Sequence, residues 1–356
     1  MESKKVGILT FHNADNYGAF LQCYALQEVL KRLGHYVEII NYKQPYIEHL
    51  YEPIKKEELL KVLKKPRWYF GYFFKQVPAK FKTHIKYRFF RKQYLKTGKA
   101  FKNNQYIPGK YDSIIIGSDQ VWGLHCTNGV DKIYFGEFPH KDCKVIGYGI
   151  SGNINSLEEI GDEQLKKYCN NFNKLSFREK NFQEYIKEHI GIEGELVLDP
   201  TLLLNKAEWE KLCNKAKPKY DYVLSYILQE GENFSTLNDK LSLFAKKVNC
   251  KLVNIFDVAH SPAEFLTWIK NAKYIIATSF HATVFSIIFE KEFFALKTNN
   301  GHDGRYINLV NALSIPDRAI ELEELTEIER PAIDYHIIQK KLIELKKESI
   351  KYLNEI

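Results

Sequence analysis

A chain of 356 residues with 45% apolar and 14% aromatic content has more than one core to fill, which predicts two domains and excludes a disordered chain. Its formal charge of +8 is unevenly placed: Lys55 to Lys110 carry 17 Lys and Arg against two acids, so the remainder is net acidic. Six cysteines without CxxC spacing support neither a zinc nor an iron–sulfur site and read as reduced thiols of a cytoplasmic protein.

In chain order, Met1–Lys5 leads into too short an apolar run for a secretory leader. Val6–Phe11 is a strand candidate covered on both faces, and Asn16 to Leu33 reads as an amphipathic helix closed by Gly34. Between them, Asn13-Ala14-Asp15-Asn16-Tyr17-Gly18 is a polar turn with one glycine where a dinucleotide fingerprint has three. Continuous apolar runs then recur at Val37–Tyr42, Ser113–Gly117, Val145–Ile150, Leu175–Phe177 and Leu196–Leu198, the pattern of a parallel sheet. A second series follows at Tyr222–Leu228, Leu252–Phe256, Tyr274–Ala277 and Phe293–Leu296, with helical segments at Ala263–Asn271 and Thr283–Phe289. The Tyr274–Phe289 run is broken by polar residues and is not a membrane span. The expected boundaries are therefore 1–204, 205–335 and a charged amphipathic helix at 336–356 that returns to the first domain.

The basic segment 45–110 interleaves cations with Trp68, Tyr69, Phe70, Phe73 and Phe74. A solvated helical insertion, a contact with an anionic membrane and nucleic-acid binding are all consistent with it; no nucleic-acid-reading motif accompanies it. Polar clusters follow the strands. Gly117-Ser118-Asp119-Gln120 with Trp122 offers donors, acceptors and a stacking face for a sugar, or else an ordinary capped turn. Arg178 in "LSFREKNF" suits a carboxylate or phosphate, or an ion pair with Glu179. Asp199-Pro200 reads as a turn or cap. His281 follows Thr278 and Ser279 at a helix start, either beside an anion or as a packed core histidine. His302, Asp303 and Arg305 follow the Phe293–Leu296 strand, and adjacent loop residues there are poor evidence for a metal.

"NADNYGAFLQCYALQ", "IIGSDQVW", "SFRE", "LDPTLLL" and "SFHATVFSIIF", in this order, resemble the polysaccharide pyruvyl transferase family from about Val6 to Leu313, most closely its bacterial capsule and exopolysaccharide members. The resemblance implies a GT-B-like α/β fold: two Rossmann-like doubly wound domains facing a cleft, with a C-terminal helix packing back. It implies transfer of the enolpyruvyl group of phosphoenolpyruvate to a sugar and closure of a cyclic pyruvate ketal, with no metal or cofactor. His281 then matches the general acid/base and Arg178 a catalytic and donor-anion residue. Ser279 occupies a position where several members carry arginine, and Arg305 or Lys297 is expected to supply that charge on the donor side. Asn13, Asn16, Tyr17, Ser118, Asp119, Gln120 and Trp122 are expected to meet the acceptor. Expected partners are phosphoenolpyruvate and a lipid-linked glycan at the inner face of the membrane, and no nucleic acid. A GT-B sugar-nucleotide glycosyltransferase and a non-catalytic glycan-binding member remain the alternatives.

Overall fold

The computed structural model describes residues 3–55, 57, 77–102, 106–139, 143–215, 218–228, 234–299, 303–327 and 329–356. The chain divides into two compact units, Met1–Leu175 and Ser176–Ile356.

The first unit is built on β1 (Lys5–Leu9), β2 (Tyr36–Ile39), β3 (Ser113–Gly117) and β4 (Lys144–Tyr148), all parallel, in the order β2-β1-β3-β4. Ile8, Ile115 and Val145 are wholly buried, as strands covered on both faces require. Helix α1 (Tyr17–Arg32) begins where the Asn16 side chain accepts the Ala19 N–H. It stops after Lys31 and Arg32, with Gly34 at φ +90°. Gly117 ends β3 at φ +112°, where a Cβ would run into the Tyr148 carbonyl oxygen, so only glycine fits. Helix α2 (Val77–Tyr94) carries the end of the basic segment. The aromatic cluster Trp68, Tyr69, Phe70, Phe73 and Phe74 lies outside the described residues. No helix among the described residues is long and apolar enough to cross a membrane.

The second unit holds a small parallel pair, β5 (Ser176–Phe177) with β6 (Glu195–Leu196). Its main sheet joins β7 (Tyr222–Tyr226), β8 (Lys251–Asn254), β9 (Tyr274–Ala277), β10 (Glu292–Leu296) and β11 (Ala319–Ile320) in the order β11-β10-β9-β7-β8, again all parallel. Helices α3 (Leu237–Lys247), α4 (Pro262–Asn271), α5 (Phe280–Ile288), α6 (Gly304–Ala312) and α7 (Tyr335–Asn354) complete it. Val223, Ile276, Leu296 and Phe244 share one core cluster.

The two compact units divide at Leu175/Ser176, ahead of the expected boundary at 204. Helix α7 packs back on residues within the expected 1–204 stretch: the Ser349 hydroxyl accepts the Leu198 N–H at 2.9 Å, and Lys346 reaches the Leu204 carbonyl at 3.4 Å. Its buried stripe of Ile338, Leu342 and Leu353 supplies the apolar contact.

Candidate functional sites in the two units

Parallel strands deliver their following loops to one edge of a sheet, so the residues after β9 and β10 share an edge. After β9, Ser279 caps α5 and accepts the Ala282 N–H at 3.4 Å. His281 follows in the first turn, 9% exposed, its ring set edge-on against Phe280.

A second segment of the same unit meets this helix start. The guanidinium of Arg178 donates through Nε to Glu179 at 2.7 Å and through Nη1 to Asp199 Oδ2 at 2.8 Å. It also lies over the Phe280 ring, 4.5 Å from its centroid. His281 Nε2 faces the same Asp199 oxygen at 3.7 Å, an ion pair when the ring is protonated. The other carboxylate oxygen accepts the Thr201 N–H at 3.0 Å and the Thr201 hydroxyl at 2.6 Å. Burial alone would raise the Asp199 carboxyl; His281, Arg178 and Thr201 outweigh it and hold the group below the ordinary carboxylate range.

Asp199 thus does two jobs. Oδ1 is the cap that sequence reading expected, while Oδ2 joins Arg178 to His281, which sequence reading missed. The signal available was an acid directly after the apolar run Leu196–Leu198, with its main chain already occupied by a turn. Both readings of Arg178 meet here as well: the pair with Glu179 forms, and a second carboxylate joins it.

The other residues expected on the donor side, Arg305 and Lys297, belong to the same unit. Arg305 sits half-buried in the first turn of α6, and that helix abuts the Arg178 segment where Asn308 Nδ2 meets Asn181 Oδ1 at 3.2 Å. Asp303 ties the loop before α6 by accepting from the Thr298 and Asn299 amides and the Thr298 and Tyr306 hydroxyls. Lys297, directly after β10, pairs with Glu321 at 3.4 Å. His302 lies outside the described residues.

In the first unit, the loops after β1 and β3 are cross-braced. Gln22 donates to the Thr10 hydroxyl at 2.9 Å, which donates to the Ser118 carbonyl at 2.8 Å. Asp15 accepts from Arg91 at 2.8 Å and faces His84 at 2.7 Å, and Arg91 also donates to the Asn13 carbonyl at 3.2 Å. Asn16 side chain meets the Tyr51 hydroxyl, whose ionisation is pushed up by burial and by nearby acids including Asp119. Asn13, Asn16 and Asp119 keep partial exposure; Asp119 stands at φ +80° and accepts the Gln120 N–H.

Four expected acceptor residues are mostly interior. Trp122 is wholly buried, stacked on Phe135 at 5.0 Å, with its indole N–H donating to the Tyr134 carbonyl at 3.0 Å. It therefore offers no face to a sugar, because core rings occupy it. The Ser118 hydroxyl is buried and donates to the Gly149 carbonyl at 3.3 Å. Tyr17 and Gln120 are 7% and 8% exposed, and the Tyr17 ring packs on Tyr87.

The family profile described as polysaccharide pyruvyl transferase matches residues 16–300. No curated protein matches the chain. Among solved structures, the spinosyn rhamnosyltransferase SpnG is similar at 8% identity and TM-score 0.41, covering 99% of this chain and 96% of its own. Arabidopsis thaliana UGT89C1, complexed with UDP-L-rhamnose, is similar at 10% identity and TM-score 0.44, covering 99% and 98%. The UDP-GlcNAc 2-epimerase of Methanocaldococcus jannaschii is similar at 11% identity and TM-score 0.47, covering 92% and 94%.

Proposed function

Since the chain belongs to the polysaccharide pyruvyl transferase family, we propose that it moves the enolpyruvyl group of phosphoenolpyruvate onto a sugar of a polysaccharide precursor and closes it into a cyclic ketal. The observation that carries this reading is the Asp199 carboxylate set between Arg178 and His281 at the start of α5.

The chemistry needs a proton delivered to C3 of phosphoenolpyruvate, which makes C2 electrophilic, and a group that holds the proton donor in place. His281 delivers the proton and Asp199, 3.7 Å from its Nε2, holds the ring in place. Arg178, already committed to two carboxylates, acts by holding Asp199 and Glu179 and not as a loose anion ligand. One sugar hydroxyl adds to C2. A second hydroxyl of the same sugar then forms the other C–O bond as the C–O bond to phosphate breaks. Both hydroxyl protons leave: one replaces the proton spent at C3, the other goes to the departing phosphate oxygen, and the products are ketal and inorganic phosphate.

The donor's carboxylate and phosphate suit the N-terminal turn of α5, where Ser279 stands, with Arg305 supplying a cation. Lys297 is the lesser candidate because Glu321 already holds it. On the acceptor side, Asn13, Asn16 and Asp119 are the partly exposed members of the set expected to meet the sugar. A lipid-linked acceptor at the inner face of the membrane fits the basic segment 55–110, and Phe81, Ile85 and Phe89 of α2 are exposed at helical spacing.

The test is a mass spectrum of candidate acceptors after incubation with phosphoenolpyruvate, alongside a phosphate-release assay. The reading expects phosphate and a ketal-bearing product from the wild type and neither from His281→Ala, which keeps its fold. A glycosyl product from a nucleotide sugar, with no phosphate from phosphoenolpyruvate, overturns it.

A further inference from the structure

The opening loop and α2 enclose a groove of about 820 Å³ in the first unit, separate from the residues around Asp199. Its lining is rich in cations, and their partners decide what the groove can hold. Lys43 is paired with Glu48 at 3.4 Å, and Arg91 is spent on Asp15. Glu52, the other lining acid, faces His49 at 3.6 Å. Arg88, Lys92 and Lys96 also line the groove, and none of them makes an ion pair among the described residues. Their spacing of four residues puts Arg88 and Lys92 on one face of α2, with Lys96 just beyond its end.

The floor adds a donor. Asn13 lines the same groove, and its buried Nδ2 has no hydrogen-bond partner among the described residues. A buried amide N–H without an acceptor is costly, and an anionic oxygen in the groove would satisfy it. Asn41, another lining residue, is by contrast held by His12 and the Gly98 carbonyl.

We infer that this groove binds a diphosphate group, with Arg88, Lys92 and Lys96 along its length and the Asn13 amide at its floor. A row of cations about two helical turns long is too extended to converge on a single phosphate, and it suits two linked ones. Arginine supplies a planar fork for phosphate oxygens, while the lysines act as point charges. A nucleic-acid strand is disfavoured: among the described residues lining the groove, Tyr51 is the only Phe, Tyr or Trp, and its hydroxyl is engaged by Asn16, so no row of rings offers base stacking inside it. The inference shares only Asn13 with the acceptor side of the transfer reading, involves none of the residues around Asp199 and is read by direct binding without turnover.

The experiment is calorimetric titration of the full chain with inorganic pyrophosphate, phosphate and sulfate at low ionic strength. A parallel arm measures flotation with phosphatidylcholine vesicles carrying either farnesyl diphosphate or phosphatidylglycerol. The test variant is Arg88→Gln/Lys92→Gln/Lys96→Gln, with Lys166→Gln/Lys167→Gln/Lys187→Gln as a control for net charge. Wild type and control are expected to bind pyrophosphate at least about tenfold more tightly than phosphate, and the test variant to lose about tenfold or more of that affinity. Binding to pyrophosphate in solution or to farnesyl diphosphate in vesicles, lost in the test variant alone, supports the site and tells the soluble from the lipid source. Equal affinity in the test variant, equal loss in the control, or flotation with phosphatidylglycerol as strong as with farnesyl diphosphate overturns it. Because all three substituted side chains are exposed, an unchanged melting temperature accompanies the expected result.

Discussion

His281 Nε2 and Asp199 Oδ2 lie 3.7 Å apart, and the carboxylate that faces the ring is wholly buried and also bound by Arg178. One buried oxygen therefore serves both Arg178 and His281, and its loss is felt twice. Asp199→Asn leaves the Arg178 charge with Glu179 alone, and breaking a buried pair in this way costs roughly 3–5 kcal/mol. Urea unfolding near neutral pH is expected to show that loss, together with a kcat lowered by more than KM for phosphoenolpyruvate rises.

The same residue sets an acid limit. Asp199 is held below its ordinary value in the folded protein, so it contributes stability that is present above the unfolded value, about pH 4, and drains away as pH falls further. Wild-type stability is expected to drop on acidification below that point. The Asp199→Asn protein, already weaker, has no such term to lose, so its difference from wild type narrows toward low pH. A difference that widens instead would refute the sign.

Arg178→Lys keeps the charge but not the fork. An ammonium can meet Asp199 or Glu179, but it does not reproduce the two directed donations from Nε and Nη1. A loss of roughly 1.5–3 kcal/mol, the value of one hydrogen bond to a charged group, is expected in thermal or chemical unfolding. Activity is expected to fall with it, and the lysine is not expected to rescue what alanine loses.

Trp122→Phe separates the interior role from the expected sugar-stacking one. It strands the Tyr134 carbonyl and opens space beside Phe135, at a cost of roughly 1–3 kcal/mol. Acceptor KM is expected to stay at the wild-type value; a large rise in KM with unchanged stability would restore the ring to the sugar.

Ser279→Ala removes an N-cap whose hydrogen bond is long at 3.4 Å, so a loss of roughly 0.5–1 kcal/mol is expected, at the low end for such caps. The hydroxyl belongs to the helix first. Stability should move while KM for phosphoenolpyruvate stays near wild type.

Much of the architecture was legible because buried parallel strands write themselves as continuous apolar runs: Ser113–Gly117 and Tyr274–Ala277 are found as expected, and Asn16 and Gly34 bracket the first helix. Strand β11 was not, since two residues carry no period. The expected strand at Leu252–Phe256 ends at Asn254, whose side chain caps a helical turn instead. Trp122 misled because its neighbours Ser118 to Gln120 are polar, whereas its contacts, Phe135 and Phe172, lie further along the chain. Asp199 was half-read for the same reason. The turn that it caps is local, and the partners of its other oxygen are 21 residues back along the chain at Arg178 and far ahead at His281.

The brace from Gln22 through Thr10 to the Ser118 carbonyl has a consequence for how the first unit meets whatever it binds. It staples the loop after β1 to the loop after β3, and Arg91 staples the former again from α2. Neither loop swings without breaking a buried bond. This edge is therefore a mould: any ligand it meets finds a shape already set, and a different shape has to come from altered side chains.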